Sequence, residues 1–481
     1  MLKKIIHSNY GILYVILILN IFIKLIYIDA FPISGDEPFT IFHAQFDWNE
    51  LKTIFINENN PPLYFILIKI WIQLVGTHSM LIRIPSIVFS VLTVVYIYKI
   101  GITYFNKNTA ILSSLIYTFS SYMMIYSHEV RVYSLFALLT TGSMYYFLKL
   151  YEKKPKTKYI LLLSIFNGLL IYAHFFGFIV IFLQVFFVLI NYLHIKNVLL
   201  AYLKSSTLTL LLYTPYFPIL YVRFTQSAKN GTWIQSPSGL SDVYYMLWTF
   251  FNQPFTTIVA ITIFVFTVTL FIIRKSTLNK ESFFVASWAF LPLFSLFLLS
   301  FYIPMYLDRY LIFCCIAFYI LIPISIEYLF KNKSTAVRFA IGSFFVCIML
   351  FTFNPKKESN FRTPDKVVRT IEDLKKEYRS DAIIISPSWA YRTFLYHYDK
   401  VLFSQAKTID RDMKDRSIYP IQTILDIDTS KLNSKKVILF LDDWNGSNSN
   451  NQSIYSYLNI HFTKAKSVQV SKSTISVYLK K

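Results

Sequence analysis

Charged residues and glycine are both scarce in this sequence. Asp, Glu, Lys and Arg make up 15% of the chain, whereas hydrophobic residues make up 55%. So few charges cannot solvate so large an apolar surface, which excludes a soluble globular protein. The 11 glycines among 481 residues follow no regular period, so collagen-like, linker-like and solenoid architectures are also excluded. The bilayer must be the main solvent of this chain.

Cysteine is nearly absent as well. The three cysteines are Cys314, Cys315 and Cys347, and all of them fall within apolar segments. Their spacing supports neither a disulfide framework nor a thiolate metal site. The chemistry must therefore be carried by other residue types.

Acidic residues are outnumbered by basic ones, 26 to 47, which gives a formal net charge of +21. In a soluble protein this excess would suggest a nucleic-acid partner. Here most basic residues stand in short loops between apolar runs, as do Lys153, Lys154 and Lys156, and this pattern is typical of cytoplasmic loops. We therefore expect a lipid bilayer and no nucleic acid as the environment of these charges.

Apolar runs long enough to cross about 30 Å of hydrocarbon recur along the chain. The first, Tyr10–Ile28, is longer than a secretory signal core and lacks a small-residue cleavage pattern, so we interpret it as an uncleaved span. We expect about 11 transmembrane helices, among them Ala110–Tyr126 and Ser205–Tyr221. The stretch Pro62–Val75 is shorter and carries Lys69, which favours a helix lying in the outer interface.

This interpretation of Pro62–Val75 keeps the lysine-rich loops on one side of the membrane, as the positive-inside rule requires. The N-terminus is then cytoplasmic and the C-terminal region extracytoplasmic. We expect an integral protein of the bacterial inner (plasma) membrane.

The composition changes after Phe353, and residues 355–481 have the mixed charge of a soluble domain. Asp365–Tyr378 has helical spacing, whereas Ala382–Ser386 and Val437–Leu441 are short apolar runs, which together predict a small α/β domain. It contains no phosphate-binding loop, nucleophile elbow or metal-ligand spacing. We therefore expect it to shape an acceptor site and the catalytic domain to occupy residues 1–354.

Three polar clusters stand at the outer ends of predicted spans, where functional residues of membrane proteins are most conspicuous. They are Ser34–Pro38, Ser127–Tyr133 and Pro304–Tyr310.

Five motifs follow one another in residues 30–310: Asp36-Glu37, Asn60-Pro61-Pro62-Leu63-Tyr64, Arg83-Ile84-Pro85-Ser86, Glu129-Val130-Arg131-Val132-Tyr133 and Arg309-Tyr310. In order and sidedness they resemble the landmarks of GT-C glycosyltransferases, and in particular the branch of protein O-mannosyltransferases and lipid A aminoarabinose transferases. Asn60 stands where many relatives have His, so a role for that imidazole is not available here. The tail matches only as a variable outer appendage.

The resemblance implies a polytopic GT-C-like helical domain that transfers a hexose or pentose from a polyprenyl-phosphate donor to an envelope glycan, lipid or protein acceptor. A sugar linked to a lipid phosphate already has a good leaving group, so a base and a cation suffice. Asp36, with Glu37 beside it, is the expected base, and direct displacement would invert the anomeric carbon.

The remaining candidates surround the donor. We expect Arg131 and Arg309, together with Glu129 and Arg83, to form the site for the lipid phosphate, because guanidinium groups bind phosphate bidentately. Four further residues are candidates for the substrate pocket: Tyr64, Tyr133, His128 and Tyr310.

Each motif also has a purely structural interpretation. Ser34 and Glu37 have the spacing of a capping box, which would only start a helix. Glu129 and Arg131 could form a solvated turn, and Arg309 could anchor a helix end at the headgroups.

The histidines near the outer face, His43, His128 and His174, lack the spacing of a zinc site. A divalent cation on Asp36-Glu37 is not favoured, because the pair lacks an Asp-x-Asp pattern. We therefore expect neither a metal nor a cofactor.

Two other functions share the multiple spans. A transporter or flippase of a lipid-linked saccharide would place ionisable residues near the midplane in two repeated halves, whereas here they stand at one edge. A catalytically idle scaffold with a partner-binding tail is the other alternative.

Overall fold

The computed structural model describes residues 9–57, 60–152, 155–190, 196–230, 234–356, 363–443 and 451–481, so Lys153 and Lys154 lie outside the described residues. The chain divides into two compact units. The helical unit consists of Met1–Ile28, Lys52–Leu67 and Arg83–Pro355. The sheet unit consists of Asp29–Leu51, Ile68–Ile82 and Lys356–Lys481, so it contains two N-terminal segments that the sequence-based boundary at residue 354 assigns to the transmembrane domain.

Helices account for nearly all of the regular structure before residue 356. In chain order they are α1 Asn9–Ile26, α2 Glu37–His43, α3 Trp48–Asn57, α4 Leu63–Val75, α5 Ile84–Tyr104, α6 Lys107–Thr118, α7 Ser121–His128, α8 Tyr133–Lys149, α9 Thr157–Ala173, α10 Gly177–Ile190, α11 Lys196–Tyr213, α12 Phe217–Asn230, α13 Leu240–Phe250, α14 Pro254–Ile273, α15 Lys280–Leu299, α16 Ile312–Leu329 and α17 Thr335–Phe351.

Among the described residues, four helical segments are long and apolar enough to cross a membrane: Leu81–Tyr104, Pro254–Ile273, Lys280–Leu299 and Ile312–Leu329. Shorter apolar helices include α1, α4, α9, α10 and α17. Large apolar side chains on α1 and α14 point outward, and Ile18 and Ile272 are 67% and 68% exposed. Such surfaces require a lipid environment, which confirms an integral membrane protein. The number of spans stays a prediction.

Helix α16 lies at the centre of the helical unit. Its residues from Ile312 to Ile326 are almost all buried, and it packs against α6, α8, α14, α15 and α17. Cys314 and Cys315 belong to this buried surface as free thiols. Trp288 donates its indole N–H to the Phe313 carbonyl (2.9 Å), which satisfies a polar group inside the apolar packing.

Two of the predicted spans are interrupted by local hydrogen bonding. The stretch Ala110–Tyr126 is divided between α6 and α7, because the Ser120 hydroxyl accepts from the Met123 backbone N–H and caps a new helix. The stretch Ser205–Tyr221 is divided by a 3₁₀ turn, Thr214–Tyr216, in which proline removes a backbone donor.

The predicted interfacial helix is present as α4. Its Lys69 is 5% exposed, donates to the Phe46 carbonyl oxygen and lies 5.1 Å from the Trp48 ring centroid. The lysine is therefore satisfied by protein groups. The location of α4 in the membrane interface stays a prediction.

The C-terminal residues form an α/β sandwich around one sheet. Its elements are α18 Pro364–Tyr378, β1 Ala382–Ser386, α19 Tyr391–Tyr398, α20 Lys400–Ser404, α21 Ile409–Asp415, β2 Ile418–Pro420, α22 Thr429–Asn433, β3 Val437–Asp442, α23 Asn451–His461, β4 Phe462–Val470 and β5 Ser473–Lys480. The strand order is β2-β1-β3-β5-β4. The predicted α/β domain is confirmed.

The pairing of the strands explains their composition. Strand β1 is parallel to both β2 and β3, whereas β5 is antiparallel to β3 and β4. Every residue of β1 is buried, as expected for a central parallel strand with covered faces. Ile454 and Leu458 of α23 pack on one face of the sheet, and α18 contacts β3 and β5.

Candidate active site

The loop that carries the predicted base leads directly into α2. Gly35 has a φ of +60°, a left-handed conformation that glycine adopts without strain, and it turns the chain into the helix. Asp36 occupies the N-cap position without a side-chain capping bond and is half-buried. Glu37 is buried, and its Oε2 accepts from the Ser34 backbone N–H (3.0 Å). The two adjacent carboxylates therefore have different surroundings.

Within the sheet unit, α19 packs against α2 and the loop before it. The Arg392 guanidinium lies 5.2 Å from the Phe39 ring centroid and 5.6 Å from that of Phe42. His397 Nε2 donates to the Ile33 carbonyl oxygen (2.7 Å), three residues before Asp36. Cation–π contacts and a hydrogen bond thus fix the loop that presents Asp36.

His43 ends α2 in an aromatic setting. Its Nδ1 donates to the Phe39 carbonyl oxygen (2.8 Å), and its side chain is 7% exposed. Burial, and then the positive charge of Arg392, lower the pKa of His43 from 6.5 to about 4. The imidazole is therefore neutral at physiological pH and serves the packing of α2.

A second group of predicted residues comes together in the helical unit. Glu129 follows α7 and Arg131 precedes α8, while Arg309 belongs to the 3₁₀ turn Asp308–Tyr310 ahead of α16. The charges of Arg131 and Arg309 both act on the buried ring of His174, so the two guanidinium groups lie near the same imidazole. This places two of the predicted phosphate ligands in one cluster.

The 3₁₀ turn with Arg309 is held against α7 by Asp308. The Tyr126 hydroxyl donates to Asp308 Oδ2 (3.1 Å), and the Tyr122 hydroxyl donates to the Asp308 carbonyl oxygen (2.6 Å). The Arg309 backbone N–H donates to Asp308 Oδ1 (2.7 Å). Asp308 and Tyr126 are absent from the predicted site, although Asp308 stands beside Arg309 in the sequence.

Tyrosines line this cluster. The Tyr126 ring centroid is 5.0 Å from that of Tyr133, and Tyr310 lies 5.6 Å from the ring of His174. The Tyr64 hydroxyl is 2.7 Å from Ser86 Oγ, which donates to the Glu129 carbonyl oxygen (2.9 Å). The predicted residues Tyr64, Tyr133 and Tyr310 are thus tied to the turns that carry Glu129 and Arg309.

Two predicted residues are engaged in internal hydrogen bonds. Arg83 has no exposed surface and donates from Nη1 to the Ile28 carbonyl oxygen (3.0 Å). His128 is 1% exposed, with Nδ1 2.9 Å from the Met124 carbonyl oxygen and Nε2 2.8 Å from that of Lys24. These contacts connect α1 with the segments around the cluster. A role for either residue in substrate binding stays a prediction.

Comparison with known sequences agrees with the motifs. The family described as dolichyl-phosphate-mannose-protein mannosyltransferase matches residues 59–219, which is less than half of the chain. The matched region contains Tyr64, Arg83, Glu129 and Arg131 but neither Asp36 nor Arg309. Among curated proteins, no sequence matches significantly.

Comparison with solved structures covers almost the whole chain. ArnT from Cupriavidus metallidurans bound to undecaprenyl phosphate is similar over 96% of this chain and 97% of its own, with a TM-score of 0.60 and 10% identity. The apo form of the same protein gives a TM-score of 0.59, again at 10% identity.

The oligosaccharyltransferase AglB from Archaeoglobus fulgidus, solved with an inhibitory peptide and a dolichol-phosphate, is similar over 91% of this chain and 69% of its own. The TM-score is 0.55 at 9% identity. The GT-C fold inferred from the five motifs is thereby confirmed.

Proposed function

We propose that this chain is a membrane-embedded, inverting glycosyltransferase that takes a sugar from a polyprenyl-phosphate carrier. The observation that carries the proposal is the similarity over 96% of the chain to a structure bound to undecaprenyl phosphate. The positive charges of Arg131 and Arg309 both act on the buried ring of His174, which supports the proposal, because guanidinium groups bind phosphate bidentately. No observation favours a transporter.

The proposed reaction forms one bond and breaks one. An acceptor hydroxyl or amine attacks the anomeric carbon, and the bond from that carbon to the phosphate oxygen breaks with its electron pair left on the phosphate. Arg131 and Arg309 stabilise the charge that accumulates there. The acceptor proton passes to Asp36, and the products are the glycosylated acceptor and the polyprenyl phosphate.

The proposal assigns a different role to the neighbouring carboxylate, Glu37. Glu37 accepts the Ser34 backbone N–H and so holds the loop in place, which makes it a positioning residue. Tyr64, Tyr133 and Tyr310 would offer aromatic and hydroxyl surface to the donor. The turns that carry Arg131 and Arg309 would be supported by Glu129, Arg83 and His128.

We further propose that the N-terminus is cytoplasmic and that the sheet unit is extracytoplasmic, in a bacterial inner membrane. The lysine-rich loops support this orientation. The acceptor is then an envelope glycan, lipid or protein, and the sheet unit would contribute to its recognition.

The base assignment is tested with Asp36→Asn in proteoliposomes supplied with polyprenyl-phosphate-linked sugars and envelope acceptors. Asparagine keeps the shape but cannot take a proton, so transfer should fall by about 10²–10⁴-fold. Release of polyprenyl phosphate measures the reaction without knowledge of the acceptor.

Asp47→Asn is the matched control. Asp47 caps α3 through the Glu50 backbone N–H (3.0 Å) and is exposed, and asparagine preserves such a cap. This variant should keep wild-type turnover. Wild-type turnover in Asp36→Asn would instead refute Asp36 as the base.

The proposed mechanism uses no metal, because two guanidinium groups supply the charge that a cation would otherwise provide. Treatment of the purified enzyme with EDTA should leave turnover unchanged. Loss of activity that returns on addition of Mg²⁺ or Mn²⁺ would replace the metal-free mechanism with a metal-assisted one.

A further inference from the structure

We propose that His174 is a third ligand of the donor phosphate and presents its Nε2–H beside Arg131 and Arg309. The inference rests on the proposed function, since it concerns the same phosphate site. His174 lies in the turn between α9 and α10, and its side chain is 7% exposed.

The hydrogen bonding of the ring fixes the position of its proton. The Phe176 backbone N–H donates to His174 Nδ1 (3.1 Å), so Nδ1 carries no proton. The neutral ring therefore bears its proton on Nε2, which makes no hydrogen bond to any of the residues that the structure describes. His128 differs, since both of its ring nitrogens contact protein oxygens. His174 thus retains a donor that a ligand can use.

Aromatic contacts hold the ring in one orientation. His174 stacks on Phe136 with centroids 4.7 Å apart and an interplanar angle of 20°. The Tyr310 ring packs against it edge-on at 5.6 Å, and Phe176 lies at 5.4 Å. A ring fixed in this way pays little additional entropy when it donates to a ligand.

The electrostatic surroundings favour an anion. The positive charges of Arg131 and Arg309 act on the ring, so protonation would place a third cation in the cluster. A neutral N–H adds a hydrogen bond without that repulsion. Such a donor becomes more effective as the departing phosphate gains charge, which would make His174 a contributor to transition-state stabilisation.

The inference is tested by the binding of farnesyl phosphate, with farnesol as the phosphate-free control, to the purified full-length protein. His174→Phe keeps the stacking on Phe136 but removes the donor. Its affinity for farnesyl phosphate should fall about tenfold, the value of one hydrogen bond to a charged group, while farnesol binding stays unchanged.

A matched pair of amides distinguishes the two ring nitrogens. The amide nitrogen of His174→Gln reaches the position of Nε2 and should retain most of the affinity for farnesyl phosphate. That of His174→Asn reaches only the position of Nδ1 and should behave like His174→Phe. Comparison of these two amide variants tests the Nε2 donor even if His174→Phe fails to fold.

Three outcomes would overturn the inference. Wild-type affinity for farnesyl phosphate in both His174→Phe and His174→Asn would show that Nε2 is not a ligand, and the proposed function would stand. Equal losses of farnesol and farnesyl phosphate binding with a lower melting temperature would assign His174 to packing alone. Failure of the wild-type protein to bind farnesyl phosphate in preference to farnesol would refute the phosphate site itself.

Discussion

At the scale of single residues, the adjacent carboxylates Asp36 and Glu37 have different roles in the proposal. Glu37 accepts the Ser34 backbone N–H, which is half of the capping box that the sequence spacing indicates. Asp36 begins the helix without such a bond. The sequence identifies the pair as important, but it cannot distinguish the two carboxylates, because their roles depend on the residue at which α2 begins.

The two arginines of the cluster offer a test of bidentate phosphate binding. Arg131→Lys and Arg309→Lys keep the charge but lose the planar fork, so each should raise the dissociation constant for polyprenyl phosphate by about 10- to 100-fold. Equilibrium binding to the protein in nanodiscs measures this change.

Arg338→Lys provides the control for this prediction. Arg338 pairs with Glu327 at the ends of α17 and α16 (3.0 Å), apart from the predicted site residues in the sequence. This variant should bind polyprenyl phosphate like the wild type. Equal weakening in all three lysine variants would indicate a general loss of stability in place of a specific site.

The role proposed for His174 could not be predicted from the sequence. Its spacing to other histidines does not favour a zinc site, and the sequence offers no other reason to single it out. The role proposed for it depends on the Phe176 backbone N–H, which selects the protonated nitrogen, and on two arginines that are distant in sequence. Neither this hydrogen bond nor the proximity of the two arginines can be deduced from the sequence.

At the scale of elements, proline and polar residues determine where helices begin and end. Helix α5 begins at Ile84-Pro85, because proline is favoured in a first helical turn. The sequence pattern does not indicate the division between α6 and α7, since the apolar run continues through Phe119 and only the Ser120 cap interrupts the helix. Hydropathy thus locates apolar segments but not their internal breaks.

Helix α2 should lose stability in mild acid because of His43. Its pKa is 6.5 in the unfolded chain and about 4 in the folded one, so below pH 6.5 the unfolded chain takes up a proton that the folded chain does not. Stability from this group is complete above pH 6.5 and declines as the pH falls to about 4, by an amount on the order of 1–3 kcal/mol. Melting temperatures between pH 7 and 4.5 measure the decline.

His43→Phe should reduce this acid sensitivity, because phenylalanine fits among Phe39, Phe42 and Phe46 and cannot be protonated. His461→Phe, at an exposed position on α23, should leave the pH dependence unchanged. Parallel curves for the wild type and His43→Phe would contradict the burial argument.

At the scale of the whole molecule, the class of fold could be predicted from sequence because the low charge content leaves no alternative to a bilayer. The α/β tail was also recognisable from its change in composition. The membership of Asp29–Leu51 and Ile68–Ile82 in the sheet unit was not, because it depends on tertiary contacts such as the hydrogen bond from the Tyr396 hydroxyl to the Thr77 carbonyl oxygen (2.9 Å).

The proposed orientation can be measured with a membrane-impermeant maleimide in a Cys347→Ser background, since Cys314 and Cys315 are buried. Leu425→Cys, at a side chain that is 90% exposed in the sheet unit, should react in intact cells. Lys333→Cys, in the turn between α16 and α17, should react only after permeabilisation. The reverse pattern would place the sheet unit in the cytosol and refute catalysis on the outer face.

The discontinuous composition of the sheet unit has a consequence for biosynthesis. Residues 29–51 leave the ribosome early, whereas α19, which packs on α2, is translated only after the last helix of the helical unit. Until then the segment with Asp36 lacks its packing partner, even though every membrane helix is already complete. A chain that ended before α19 would thus contain the membrane helices but lack the packing that holds the segment with Asp36.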